Sequence, residues 1–176
     1  MRSGDTFNQM RQLPLLLGLS GALVAPAAAL AISAATGDGS LVVKNGSAPF
    51  GQPVVVLQIT GSVIGQIDHG KLVIDPGVNG DAPQVTGAEW RGDSTKSDTA
   101  QVYRGNDFKF RAVGGKYTVL VYGSGVDLVA VGKGTVKVTG LPDTPVGDGK
   151  YSLNGGDFLS LPDGASKQLT IESTGS

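Results

Sequence analysis

From residue 41 onward, hydrophobic positions come in short runs rich in Val, Ile, Leu, Tyr and Phe, each closed by Gly, Pro, Asn or Asp. No stretch beyond the first thirty-five or so residues keeps the 3.6-residue period of a helix, and the punctuation is that of β-strands. It predicts strands over residues 41–44, 54–59, 63–67, 71–74, 108–113, 117–122, 126–131 and 135–139. Shorter ones are expected at 84–86, 101–103, 150–153 and 168–171. The run FKFRAV alternates cleanly: Phe108, Phe110 and Ala112 point one way, Lys109 and Arg111 the other. That strand has a dry face and a wet face. VVVLQI and YTVLVY are apolar on both sides and suit central strands.

Two connections are legible. Gly114-Gly115 separates FKFRAV from KYTVLVY, and a Gly-Gly pair supplies the positive φ of a tight hairpin. Asp68-His69-Gly70 joins VIGQI to KLVI as a short loop. Together these predict an all-β fold, a two-sheet antiparallel sandwich or roll built of Gly-turn hairpins. LQITGSVIGQIDHGKLVI and LVYGSGVDLVAVGKGTVKV also share an order of strand, Gly-Ser turn, strand, Gly turn, strand. The echo reads as a duplicated three-stranded meander or as ordinary Gly-rich β sequence, and a short β-solenoid stays the alternative fold. Residues 75–107 are more polar, and 89–99 are expected to form an exposed loop.

The chain's start differs from the rest. Arg2 and Arg11 precede the apolar run LPLLLGLSGALVAPAAALAI, which ends in small-residue A-x-A patterns. This is the pattern of a secretory signal peptide over residues 1–35, with cleavage near Ala31 or Ala35. An uncleaved membrane anchor is the rival, and Gly18, Ser20, Gly21 and Pro26 weigh against it. Residues 36–176 then form a single β-rich domain, secreted or held in the cell envelope, large enough to bury a core without disulfides. The absence of cysteine fits.

Taking Arg2, Arg11 and Asp5 from the 14 basic and 15 acidic side chains leaves 12 and 14, a formal net charge of −2. The basic residues are spread out, with a loose group at Arg104, Lys109, Arg111 and Lys116 that reads as solvated strand faces. Nucleic acid is therefore not an expected partner. The 28 glycines and 9 prolines are about a fifth of the chain, short of the composition of disorder.

The linked elements GSVIGQIDHGKLVID, YRGNDFKFR, GKYTV, GSGVDLVAVGKGTV and DGKYS resemble a group of predicted secreted, β-rich actinobacterial proteins of uncharacterised function. The resemblance covers roughly residues 41–162 and implies an exported β domain, with no activity to carry over. GSGVDL is also loosely similar to the Gly-Ser-Gly turns of bacterial head-domain adhesins with solenoid folds.

Little catalytic chemistry is on offer. With no cysteine and one histidine, a Ser-His-acid set would have to use His69, whose D-H-G context is that of a plain solvated turn. One histidine cannot build a zinc site, so no cofactor is expected. Calcium, which needs only oxygen ligands, is the alternative at Asp75, Asn79 and Asp81, or at Asp143 and Asp148, and Asx turns explain both segments without it. Glu89 and Asp93 beside Trp90 are the best candidates for a carbohydrate site, since paired carboxylates cleave glycosides and tryptophan floors sugar sites. Arg91, Gly92 and Asp93 spell the RGD tripeptide, here read as a chance match in a turn. Glu89, Trp90, Arg91 and Asp93 are thus the candidate ligand loop.

The expected function is that of an exported, non-catalytic binding or assembly module. Its expected partners are an envelope component, a glycan or a second copy of the chain, and a membrane only if the leader stays uncleaved. A carbohydrate-binding or carbohydrate-active domain is the alternative.

Overall fold

The computed structural model describes residues 38–78, 80–142 and 149–172. They form an all-β, antiparallel, open sheet. Its strands are β1 (Gly39–Gly46), β2 (Val55–Asp75), β3 (Gln84–Thr86), β4 (Trp90–Asp93), β5 (Gln101–Val138), β6 (Lys150–Leu153), β7 (Leu159–Ser160) and β8 (Lys167–Ile171). Every segment expected to be a strand falls in one of them, apart from Val54 and Thr139, each one residue beyond a strand end. The leader, Asn79, Asp143 and Asp148 lie outside the described residues.

Two strands are far longer than a sandwich layer can hold. β2 has 21 residues and β5 has 38, against the usual 3–10. They stay compact because β5 runs down both sides of β2. Val55–Val121, Ile64–Arg111 and Ile74–Gln101 belong to one ladder; Val55–Val138, Ile64–Val129 and Ile74–Val119 belong to the other. Residues 118–121 of β5 therefore pair with both ends of β2, and Val121 faces Val55 on one side and Leu72 on the other. The two strands make a coiled ribbon, folded at glycines into two layers.

The folds lie at two lines. At one, Gly61 pairs with Gly132 and Gly115; at the other, Gly70 pairs with Gly105 and Gly123. Gly105, Gly114, Gly123 and Gly132 are nine residues apart along β5, as are Gly61 and Gly70 along β2. The reason for glycine is steric as well as conformational. At Gly61 (φ 153°) and Gly132 (φ 148°) a Cβ would reach 2.1 Å and 2.2 Å from the partner strand's carbonyl oxygen. No side chain fits between strands that cross so closely.

This corrects the two expected hairpins. At Gly114-Gly115 the chain does not reverse: residues 109–111 are already paired with β2 and β3, which leaves no edge for residues 116 onward. Two residues, Val113 and Gly114, instead bulge opposite Ser62, and the Ser62 hydroxyl receives the Gly114 N–H at 3.3 Å. Tyr117 closes the bulge with a hydroxyl bond to the Val113 carbonyl at 3.2 Å. Asp68-His69-Gly70 is likewise a corner within β2, not a loop between strands. The internal echo is also explained: its two copies are partners in one antiparallel ladder, with their glycine corners in register.

One layer carries, in order, β8, 134–138, 55–60, 116–122, 71–75, 101–104 and β4. The other carries β7, β6, β1, 126–131, 62–67, 108–113 and β3. Between them lies one apolar core, in which Leu57, Ile67, Leu72, Ile74, Phe108, Val119 and Val126 are fully buried. Lys109 and Arg111 face outward as expected. VVVLQI and YTVLVY are central in their layer, but their second face is only half covered at Val56 and Leu120. Asp127 is exposed and accepts the Asn45 N–H at 2.8 Å, bracing the irregular end of β1.

Candidate functional site

The segment expected to be an exposed loop at 89–99 is ordered strand at its start. Glu89 donates its backbone N–H to the Arg104 carbonyl at 3.0 Å, and β4 continues that pairing through Asp93. The RGD tripeptide is thus extended, not a turn. Strand geometry then separates the four candidates. Trp90 lies on the outer face, while Glu89, Arg91 and Asp93 have the opposite parity. Four residues of strand put the Glu89 and Asp93 Cα atoms about 13 Å apart, so β4 does not set them as a closely spaced carboxylate pair. The Glu89 carboxylate accepts a bond from Asn106 Nδ2–H at 2.7 Å, and the Asn106 side-chain Oδ1 accepts His69 Nδ1–H at 2.5 Å. That chain ties β2, β5 and the start of β4 together across the corner. Arg91 lies over the Tyr103 ring, 5.7 Å from its centre, in an open groove of about 510 Å³ lined also by Pro83, Val85 and Ala88.

Trp90 has different company. Register places Trp90, Arg104, Lys71 and Tyr122 in one row across four neighbouring strands. The Arg104 guanidinium sits 5.1 Å from the centre of the indole, and the Lys71 ammonium 3.9 Å from that of the Tyr122 ring. The indole also extends over Gly92, where a Cβ would come within 2.4 Å of it. Trp90 remains 48% exposed. Burial, and then the charges of Arg104 and Lys96, lower the Lys71 pKa below its ordinary value. These cations repel one another.

Arg104, Lys71 and Tyr122 escaped sequence reasoning because no local motif joins residues 18 to 51 positions apart. Their outward parity was readable; their register was not. The loose basic group divides between the two outer faces, Arg104 and Lys116 on one, Lys109 and Arg111 on the other.

Asp75 is occupied structurally. Its carboxylate accepts the Ser97 hydroxyl at 2.7 Å, the Thr99 hydroxyl at 2.5 Å and the Gly77 N–H at 2.8 Å, the last an Asx turn. Burial alone would raise its pKa, but bonds from Thr99, Ser97 and Gly77 outweigh that and hold it below the usual carboxylate range. A depressed folded pKa contributes stability above the unfolded value of about 4, lost as pH falls through the folded pKa. Asp75→Asn should cost about 1 kcal/mol at pH 7 and less at pH 3, read from urea midpoints at both. An equal cost at the two pH values would contradict this. Among the described residues no group of three His or acidic side chains is placed to hold a metal.

No family model, curated protein or solved structure matches the chain.

Proposed function

We propose that the protein is an exported, non-catalytic binding module of the cell envelope or extracellular space, and that it binds through the outer face carrying Trp90. Export rests on the basic start, apolar run and A-x-A exit of the leader. The observation that carries the binding reading is the half-exposed Trp90 in one row with Arg104, Lys71 and Tyr122. Tryptophan, tyrosine and arginine are the residues in which binding energy concentrates. The carbohydrate reading keeps Trp90 but moves from the Glu89–Asp93 segment to the sheet face, with Asp93 outside it.

The sheet edges support a face over an edge. β3, β4, β7 and β8 have three, four, two and five residues, the short edges that discourage strand addition. Electrophoresis of the full chain through gels containing envelope polysaccharides tests the reading. Retardation that Trp90→Ala reduces at least about tenfold is expected; retardation indifferent to Trp90 would contradict it.

Self-association is the second reading, favoured by Phe158 and Leu159, 47% and 52% exposed at the β7 edge. Light scattering after size exclusion separates the two. A concentration-independent monomer would argue against assembly, and oligomers abolished by Leu159→Lys would support it.

A further inference from the structure

Resting on the binding face proposed above, we propose that the row Trp90, Arg104, Lys71 and Tyr122 binds an acidic polysaccharide, a chain of pyranose rings bearing carboxylates. The shape comes first. Four adjacent strands set the row about 14 Å long, a span that several linked sugar rings would cover when laid across the strands.

The order of side chains narrows the chemistry. Aromatic rings stand at the two ends of the row and two cations between them. A uronic acid polymer offers ring faces to Trp90 and Tyr122 and carboxylates to Arg104 and Lys71, and a guanidinium meets a carboxylate with two parallel bonds. A neutral glycan would offer both cations only hydroxyl acceptors, whose bonds are about half as strong as those to a carboxylate. A polyol phosphate supplies charge but no ring to stack. The charge of the face agrees: Lys71, Arg104, Lys116, Lys133 and Lys137 have outward parity in this layer, against Asp75, whose carboxylate is already engaged by Ser97 and Thr99, and Glu172, just past β8 and beside Lys133 rather than the row. That basic face belongs to a chain of formal net charge −1. Glu89, the nearest acid in sequence, is turned onto the Asn106 amide. An anion laid along the row would relieve the mutual repulsion of Lys71, Arg104 and Lys96.

The chain contains its own probe, because Trp90 is the only tryptophan. Titrating the full chain with polygalacturonate should change Trp90 fluorescence saturably, with an affinity that falls as salt rises. In gels containing the polymer, Arg104→Gln and Lys71→Gln should each weaken retention about three- to tenfold and Trp90→Ala at least about tenfold. Arg111→Gln, on the opposite outer face, should match wild type. Each variant's unfolding midpoint is measured beside wild type so that retention is compared between folded proteins, and the fluorescence titration stands even if one variant fails to fold. Equal binding of methyl-esterified polygalacturonate or dextran, still lost in Trp90→Ala, would overturn the acidic ligand and leave the binding face intact. Stronger binding to polyphosphate or oligodeoxythymidylate, again dependent on Trp90, would do the same. No fluorescence change with any polymer, or retention untouched by Trp90→Ala, would overturn both.

Discussion

Alanine at Gly123 should destabilise the protein by about 3 kcal/mol or more, lowering the unfolding midpoint by about 10 °C. Gly123 has φ 126°, which an L side chain adopts only under strain. The larger problem is space, since its Cβ would lie 2.0 Å from the His69 carbonyl oxygen and 2.7 Å from the Gly70 Cα. The obstacle is backbone of the neighbouring strand, and it can yield only if the corner of β2 moves. That corner is shared with Gly105, so the displacement would spread into both ladders. Gly51→Ala is the matched control: it also has positive φ (83°), but nothing lies within 4 Å of the added Cβ. It should cost only about 1 kcal/mol. Equal costs in urea unfolding would mean that conformation alone, not strand crossing, calls for glycine at the corners.

A one-residue insertion within 118–121 should do more damage than any substitution. Those residues pair with both ends of β2, so an alanine placed between Val119 and Leu120 breaks two registers at once. Val119 and Val121 are buried while Thr118 and Leu120 face outward, and a slip by one residue exchanges the two sets. Moving the two valines out of the core costs about 3–6 kcal/mol in transfer alone, before the two broken ladders are counted, against a total of about 5–15 kcal/mol for most single domains. The expected product shows no cooperative unfolding and exchanges its amides freely. The same insertion between Gly156 and Asp157, in the exposed connection between β6 and β7, should change stability by less than about 1 kcal/mol. A cooperative fold from the first insertion would show that 118–121 does not bridge the two ends of β2.

The strands were legible in the sequence because period-two alternation and β-branched runs follow directly from half-buried pleated backbone. Lys109 and Arg111 outside with Phe108 and Phe110 inside is that rule at work. What connects the strands is not legible locally, for a physical reason. Glycine between two strand-like runs permits a reversal and a sharp bend equally, so Gly114-Gly115 has the local chemistry of a hairpin and the structure of a bulged corner. The discriminating signal was long-range. Gly105, Gly114, Gly123 and Gly132 keep a nine-residue interval, matched by Gly61 and Gly70, and a regular interval marks a chain that bends at each layer edge. The stretch from Gly123 to Gly132 is thus two corners and the strand between them.

The candidate site was legible in one residue. Trp90 stood out as the only tryptophan in a polar segment, but its neighbours in sequence, Glu89, Arg91 and Asp93, are not its neighbours on the face. Parity sends them to the other side of β4, and register brings in Arg104, Lys71 and Tyr122. Register between distant strands depends on every corner and bulge before it, including the unforeseen bulge at Gly114, so the row could not be composed from local pattern.

The coiled ribbon carries both the fold and the binding row, since Lys71 meets Tyr122 only if 118–122 lies beside the end of β2. Cross-strand proton contacts from nuclear magnetic resonance test this most directly. Val121 should show contacts to both Val55 and Leu72, and Tyr122 to Lys71. Contacts between Ala112 and Tyr117 as directly paired hairpin partners, with Val121 near only one end of β2, would contradict the coil and dissolve the row with it.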